Sequence, residues 1–256
     1  MLAIGQQSHA WLSGQLARAW GNERFGPVRP YEEVCLAADQ HDVGWGSRDR
    51  HPPLNAETGL PESFMQVPLD PHLELFTEGP RRLVTQSRYA ALLVSMHGWR
   101  LYARRDLDRA APEDARAVRA FLAGQEQFQA ALRAALRADA SVAPAAEDRR
   151  LQRNSMLIWT WDYLSLALCL RWAPATAKRC PTADGEADLH LIRGDGYFHL
   201  DPWPFERTSV SVRCEGRRLT QRFEDEAEMR RALARAPWET LELSLERGPP
   251  GSAQSP

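Results

Sequence analysis

The segment that decides the fold is Cys35-Leu36-Ala37-Ala38-Asp39-Gln40-His41-Asp42-Val43-Gly44-Trp45, in which an adjacent His-Asp pair closes a predicted helix. Pro30 and the acidic residues after it mark the start of that helix, because both favour a first helical turn. An imidazole beside a carboxylate offers a divalent metal one nitrogen and up to two oxygens. The pair therefore predicts a metal site whose remaining ligands come from other segments.

Three further candidate ligands lie on predicted helices. His9 falls in a helix predicted from Ser8 to Trp20, and His97 ends an apolar run in a long helix predicted from Arg82 to Arg105. Asp162 lies in a run that is apolar on every face of a helix. A buried, isolated carboxylate costs several kcal/mol or more, so something positive must face Asp162.

Each of these residues also has an ordinary structural interpretation. His9 is suited to capping a helix or lying at the surface, and His97 could be a buried neutral histidine bonded to backbone. An adjacent His-Asp pair also occurs by chance. For Asp162 the alternative partner is an arginine, which is common here, whereas Lys178 is the only lysine. The joint pattern indicates a metal site more strongly than any single residue does.

The order His, His-Asp, His, Asp along predicted helices resembles the HD-domain superfamily of metal-dependent enzymes, over roughly residues 1–172. The resemblance implies one divalent ion (Fe, Mn, Zn, Ni or Co) held by four side chains, namely His9, His41, Asp42 and Asp162. It also implies that Asp42 could bridge to a second ion, with His97 among its ligands. Either His51 or His72 would then have to add another nitrogen, so a single ion is the safer interpretation.

A second resemblance rests on three stretches, His9 through Trp45, Ser95-Met96-His97-Gly98 and Asp162-Tyr163-Leu164-Ser165-Leu166. These stretches resemble an uncharacterised bacterial family that carries only a domain-of-unknown-function label. That resemblance implies a fold and a site, but it assigns no reaction.

The superfamily resemblance implies a metal-dependent phosphohydrolase that cleaves a phosphate mono- or diester, with metal-bound water as the nucleophile. Asp42 and His97 would be catalytic, and Arg48 and Arg88 would bind a phosphorylated small-molecule substrate. Two alternatives remain open: an HD-type di-iron oxygenase, and a non-catalytic metal-binding or ligand-sensing module. A further alternative has no metal, with Asp162 paired to an arginine.

The predicted fold class is mainly α, an HD-like helical bundle with a small β-rich C-terminal extension. Residues 1–175 are predicted to form the helical metal-binding domain, 176–247 the extension packed on it, and 248–256 a disordered tail. Two more helices are predicted, from Pro112 to Ala138 and from Leu151 to Trp172. Short alternating segments predict the strands of the extension: His190–Ile192, Tyr197–Leu200, Ser209–Val212 and Thr240–Leu245.

The segment 43–71 is rich in glycine and proline, which exclude a long helix there. A loop of this length is unusual in a compact domain and is often functional. It directly follows His41 and Asp42, so it could cover a substrate, or it could be a structural excursion of the chain. The sequence leaves both interpretations open.

Composition argues against several classes of protein. The 32 basic and 34 acidic residues give a formal net charge of −2, which offers no general attraction to nucleic acid or to an anionic membrane. The four cysteines include no C-x-x-C pair, so we expect reduced thiols in a cytoplasmic protein. We expect no signal peptide, and the longest apolar run, Met156 to Leu170, is too short to span a bilayer.

Overall fold

Eight α-helices lie within residues 1–248, the part of the chain that the computed structural model describes. Their bounds are α1 Gln6–Ala19, α2 Tyr31–Gln40, α3 Gly46–Arg50, α4 Leu69–Leu83, α5 Arg88–Ala103, α6 Pro112–Arg137, α7 Asp148–Cys169 and α8 Glu226–Arg235. The predicted disordered tail lies, apart from Gly248, outside the described residues. No helix in the described part is both long and apolar enough to cross a bilayer.

Eight strands form two sheets in the same part of the chain. Their bounds are β1 Leu2–Ile4, β2 Leu54–Asn55, β3 Leu60–Pro61, β4 Ala175–Pro181, β5 Glu186–Arg193, β6 Phe198–Asp201, β7 Ser209–Arg218 and β8 Trp238–Arg247. The large sheet has the order β1-β7-β8-β6-β5-β4 and is antiparallel except between β6 and β8. Strands β2 and β3 form a separate two-stranded sheet.

The predicted fold class is wrong, because it underestimates the amount of β-structure. Of the described residues 52% are helical and 19% lie in strands, and the six-stranded sheet is a substantial element rather than a small C-terminal extension. The sheet also includes the N-terminal strand β1, in which Leu2 lies opposite Arg218 of β7. Three residues are too few to show strand periodicity, and a partner so distant in sequence leaves no local signal.

One apolar core joins the sheet to the helices. Trp161 of α7 is fully buried, and its ring lies 5.6 Å from that of Trp20, which in turn lies 5.7 Å from the ring of Phe205. Along β7 the buried residues alternate with exposed ones, as expected for a strand with one face on the core. Helix α7 packs against α1, α5 and β4, which explains why the sequence around Asp162 is apolar on every face.

The long helix predicted from Arg82 to Arg105 is two helices, because Ser87 interrupts it. The Ser87 hydroxyl accepts a hydrogen bond from the backbone N–H of Ala90 at 3.1 Å and so caps the start of α5. The preceding helix α4 is absent from the sequence prediction, which ended the glycine- and proline-rich segment at residue 71 and began the next helix at Arg82. Pro71 lies in the first turn of α4, where a backbone N–H has no intrahelical acceptor.

Helix α4 packs closely on the residues that follow the His-Asp pair. A Cβ atom at Gly44 would lie 2.2 Å from the carbonyl oxygen of Leu75, so the close approach requires glycine at this position. The approach places the ring of His72 on α4 at 5.3 Å from the ring of Trp45. Within the segment 43–71 the longest helix before α4 is the five-residue α3, but α4 begins at Leu69, so the predicted absence of a long helix is wrong for the last three residues.

Candidate metal centre

Five candidate ligands from four helical segments meet at one buried point. His9 projects from α1, His97 from α5 and Asp162 from α7. His41 ends α2, and Asp42 follows it directly. The side chain of Asp162 is 17% exposed and the other four are at most 7% exposed, so the centre is nearest to solvent at Asp162.

The ligand atoms form two overlapping groups. One group comprises His9, His41 and Asp42, and the other comprises His41, His97 and Asp162; within each group the ligand atoms lie within 4.8 Å of one another. His9 Nε2 lies 2.9 Å from Asp42 Oδ2, and His41 Nε2 lies 3.3 Å from Asp162 Oδ1. His97 Nε2 lies 3.6 Å from Asp162 Oδ2. The structure therefore brings together all five side chains that the sequence proposed as ligands.

A hydrogen bond at Nδ1, on the side of the His9 ring that faces away from Asp42, selects the tautomer of His9. The Ser165 hydroxyl donates to the carbonyl oxygen of Asp162 at 2.8 Å, so Ser165 Oγ is free to accept a hydrogen bond. His9 Nδ1 lies 2.9 Å from Ser165 Oγ and is placed to donate its proton there. His9 Nε2 is then left with a lone pair that faces the carboxylate of Asp42.

A backbone carbonyl orients the ring of His41 in the same way. Its Nδ1 donates to the carbonyl oxygen of Ala38 at 2.9 Å, while its buried Nε2 makes no hydrogen bond of good geometry. Thus two imidazoles direct Nε2 lone pairs at two carboxylates, an arrangement that is repulsive unless a cation lies between them or a histidine is protonated. Metal-binding histidines characteristically hold their second ring nitrogen in this way. The nitrogen and carboxylate donor set fits a divalent transition metal.

The charges of the cluster alter its proton affinities. Burial lowers the pKa of His41, but the negative charges of Asp42 and Asp162 outweigh it and raise that pKa to about 9. Burial raises the pKa of each carboxyl group, yet the neighbouring histidines, above all His41, hold both below their usual range. In the described part of the chain Asp162 forms no ion pair with an arginine, and the ring nitrogens of His9, His41 and His97 lie 3.8, 3.3 and 3.6 Å from its carboxylate oxygens.

His97 differs from the other two histidines in having an unpartnered ring nitrogen on its far side. Its Nδ1 is buried and makes no hydrogen bond within the described residues. Burial lowers the pKa of His97 to about 4, so the ring is neutral at pH 7. Its ring packs 5.8 Å from that of Trp159. A neutral, incompletely satisfied imidazole beside Asp162 can bind a metal or accept a proton.

Neither additional histidine proposed for a second ion joins the cluster. His72 lies on α4, where its Nδ1 bonds to the Tyr102 hydroxyl and burial lowers its pKa to about 4. His51 is exposed at the end of α3. His41 belongs to both groups of ligand atoms but has only one free nitrogen, so it can serve one ion. The geometry therefore favours a single metal ion.

The two arginines proposed to bind substrate lie apart from the ligands. Arg88 begins α5 and its guanidinium lies 2.8 Å from the carboxylate of Asp139. At 1.5 Å per residue, its position is roughly 13 Å along the helix axis from that of His97. Arg48 lies on α3 and is ion-paired with Glu62. Neither guanidinium contacts a candidate ligand within the described residues.

The sequence reasoning missed the residues that hold the imidazoles in place. Ser165 lies one helical turn after Asp162, and Ser13 lies one turn after His9. The two hydroxyl oxygens are 2.8 Å apart, so both serines take part in the network behind His9. Helical spacing could have identified these serines, whereas the carbonyl of Ala38 gives no side-chain signal.

Comparison with curated proteins and with solved structures finds no match for this chain. One family model matches residues 1–221, a range that contains all five candidate ligands and the strands from β1 to β7. This match confirms the predicted kinship with a family that carries only a domain-of-unknown-function label. The chain belongs to the family described as Protein of unknown function (DUF3891).

Proposed function

We propose that this protein is a metal-dependent phosphohydrolase that acts on a phosphate mono- or diester of a small molecule. The observation that carries the proposal is the arrangement of His9 and His41, whose Nε2 atoms face two buried carboxylates while their Nδ1 atoms are hydrogen-bonded elsewhere. The order of the ligands along the chain resembles that of HD-domain enzymes, which are most often phosphohydrolases. This resemblance supports the choice of reaction.

Four side chains would hold the ion, namely His9, His41, Asp42 and Asp162. With nitrogen and carboxylate ligands, Fe, Mn, Zn, Ni and Co all suit this donor set. Such an ion, when bound, would lower the pKa of water and polarise a phosphoryl oxygen. The protein itself supplies a rigid frame, because His9 and Asp162 lie on helices packed in the core, and His41 and Asp42 directly follow the packed helix α2.

Among the five candidate ligands, His97 is the side chain best placed to accept a proton. It is neutral at pH 7 because burial lowers its pKa to about 4, and its Nε2 lies 3.6 Å from Asp162. A neutral imidazole can accept a proton as the reaction proceeds. Because Asp162 is the most exposed of the five, we place the approach of the substrate on that side of the cluster.

The two other functions that the sequence left open make different demands on the cluster. A di-iron oxygenase needs two ions, whereas His41 offers one free nitrogen to the two overlapping groups. A non-catalytic metal-binding or ligand-sensing module would use the same ligands without turnover. The single-ion geometry favours hydrolysis over oxygenation, and only a kinetic measurement separates hydrolysis from sensing.

The test is release of product from p-nitrophenyl phosphate, bis(p-nitrophenyl) phosphate and a panel of nucleotides by the full chain supplied with each candidate metal. We expect metal-dependent turnover that falls roughly 1000-fold or more in Asp42→Asn, as when one member of a catalytic unit is removed. Asp39→Asn is the matched control, because Asp39 lies on α2 three residues before Asp42 but pairs with Arg18. Equal activity of Asp42→Asn and wild type would contradict the proposal, and bound metal without turnover would favour the sensing module.

A further inference from the structure

A cavity of about 890 Å³ lies between α5, α7 and β4. Its charged lining is dominated by cations, with Asp184 and Glu186 as the acidic members. The six cationic members are Arg100, Arg104, Arg149, Arg153, Lys178 and Arg179. The chain as a whole has a formal charge of −2, so this concentration of positive charge is a local feature and not a consequence of composition.

Arg100 differs from the other five cations in having a buried nitrogen without a hydrogen-bond partner in the described residues. That nitrogen is Nε, and Nη2 makes only long contacts of 3.4 Å to Gln152 and Ser155. No carboxylate within the described part of the chain pairs with it. Burial and then the charges of Arg104 and Arg179 lower the pKa of Arg100. A half-buried guanidinium among other cations is stabilised when an anion binds beside it.

The opposite wall carries a local irregularity in β4. The pairing with β5 shifts register between Ala177 and Cys180, and Arg179 in this bulge adopts a positive φ of 57°. A bulge redirects side chains, and backbone of this kind in a residue other than glycine is a sign of constraint. Lys178 and Arg179 both line the cavity from the bulge. Arg179 is paired with Glu186, whereas Lys178 forms no ion pair among the residues described.

The indole ring of Trp159 lies between the cavity and the metal centre. Trp159 lines the cavity, and its ring lies 5.8 Å from that of His97. The guanidinium carbon of Arg104 lies 5.5 Å from the same indole ring. Trp159 also precedes Asp162 by one turn of α7. The cavity and the cluster of ligands therefore lie on adjacent faces of α7.

We propose that this cavity binds an oligophosphate group, either free or as part of a nucleotide. Several cations without carboxylate partners converge on one concave surface, and guanidinium groups match the geometry of phosphate oxygens. A chain of phosphates carries enough negative charge to engage both walls at once. This inference goes beyond the proposed function, because binding here needs neither the metal nor turnover at the neighbouring centre.

The test is calorimetric titration of the full chain with inorganic tripolyphosphate, with and without EDTA. Arg104→Gln and Lys178→Gln are the main variants, because both side chains are exposed and their replacement spares the core. We expect binding by the wild type that weakens at least about tenfold in each variant and falls with added salt, as for a contact that includes charged hydrogen bonds. Arg116→Gln is the matched control, since Arg116 is exposed on α6 and pairs within its own helix.

Two results with tripolyphosphate would overturn the inference. Binding that disappears with EDTA would belong to the metal centre, and equal affinity of all four proteins would show that the cavity is not involved. ATP and adenosine distinguish the sources of the phosphate group. Tighter binding of ATP than of tripolyphosphate would support a nucleotide, equal binding would support the phosphate chain alone, and adenosine binding as tightly as ATP would contradict the proposal.

Discussion

Asp162→Asn is expected to abolish the stabilisation that a divalent metal gives to this fold. Asp162 contacts His41 and His97, so it links α7 to the end of α2 and to α5 at the centre of the cluster. An ion present at 1,000 times its dissociation constant stabilises a folded protein by about 4 kcal/mol. The wild type should gain a stabilisation of this order from the metal, and the variant little or none.

Chemical denaturation with and without Mn, Zn or Fe measures this difference. Asp39→Asn serves as the control, because it removes a carboxylate from α2 together with its ion pair to Arg18. This control should lose some stability yet keep the full response to metal. If Asp162→Asn gained as much from metal as the wild type, Asp162 would not be a ligand.

With chelator present, the protein is expected to lose stability as the pH rises from about 6.5 to about 9. The pKa of His41 in the folded state is raised from 6.5 to about 9 by Asp42 and Asp162, which outweigh the effect of burial. A histidine whose pKa is raised by folding contributes stability that is fully present below its pKa in the unfolded state. That stability is lost as the pH rises through its pKa in the folded state. At 1.36 kcal/mol per pH unit, the loss is about 3 kcal/mol.

Other groups titrate on either side of this pH window. The pKa of His97 is lowered to about 4, so its effect is a rise in stability with pH below about 6.5. Burial raises the pKa values of the thiols of Cys35 and Cys180 to about 12, so these groups affect the stability only above this pH window. Unfolding in urea at several pH values measures the slope, and His41→Gln should flatten it. A wild-type profile that is flat or rising between pH 6.5 and 9 would contradict the charge balance described above.

The candidate site could be predicted from the sequence because its ligands lie in strongly patterned helices. The apolar run around Asp162 required a positive partner, and the His-Asp pair stood at a helix end that local rules identify. The four strands predicted between His190 and Leu245 are confirmed for the same reason, since each shows alternation along its own length. Local periodicity was sufficient wherever an element was long enough to show it.

The rest of the architecture depends on contacts between residues that are distant in the sequence. Strand β1 is too short to show a pattern and is held by β7, so the extent of the sheet could not be inferred. Helix α4 contains two prolines and is held by packing against Gly44 and its neighbours. The Nδ1 partners of His9 and His41 are a hydroxyl and a backbone carbonyl, which become visible only when the helices are placed together.

The central claim is that His9, His41, Asp42 and Asp162 hold a metal ion, and its most direct test is elemental mass spectrometry. The protein is purified without chelator or metal-affinity resin and measured beside Asp42→Ala. We predict about one transition-metal ion per wild-type chain and nearly none in the variant, because a carboxylate ligand is lost. Absence of metal from the wild type, even after reconstitution with Mn, Fe or Zn, would contradict the account.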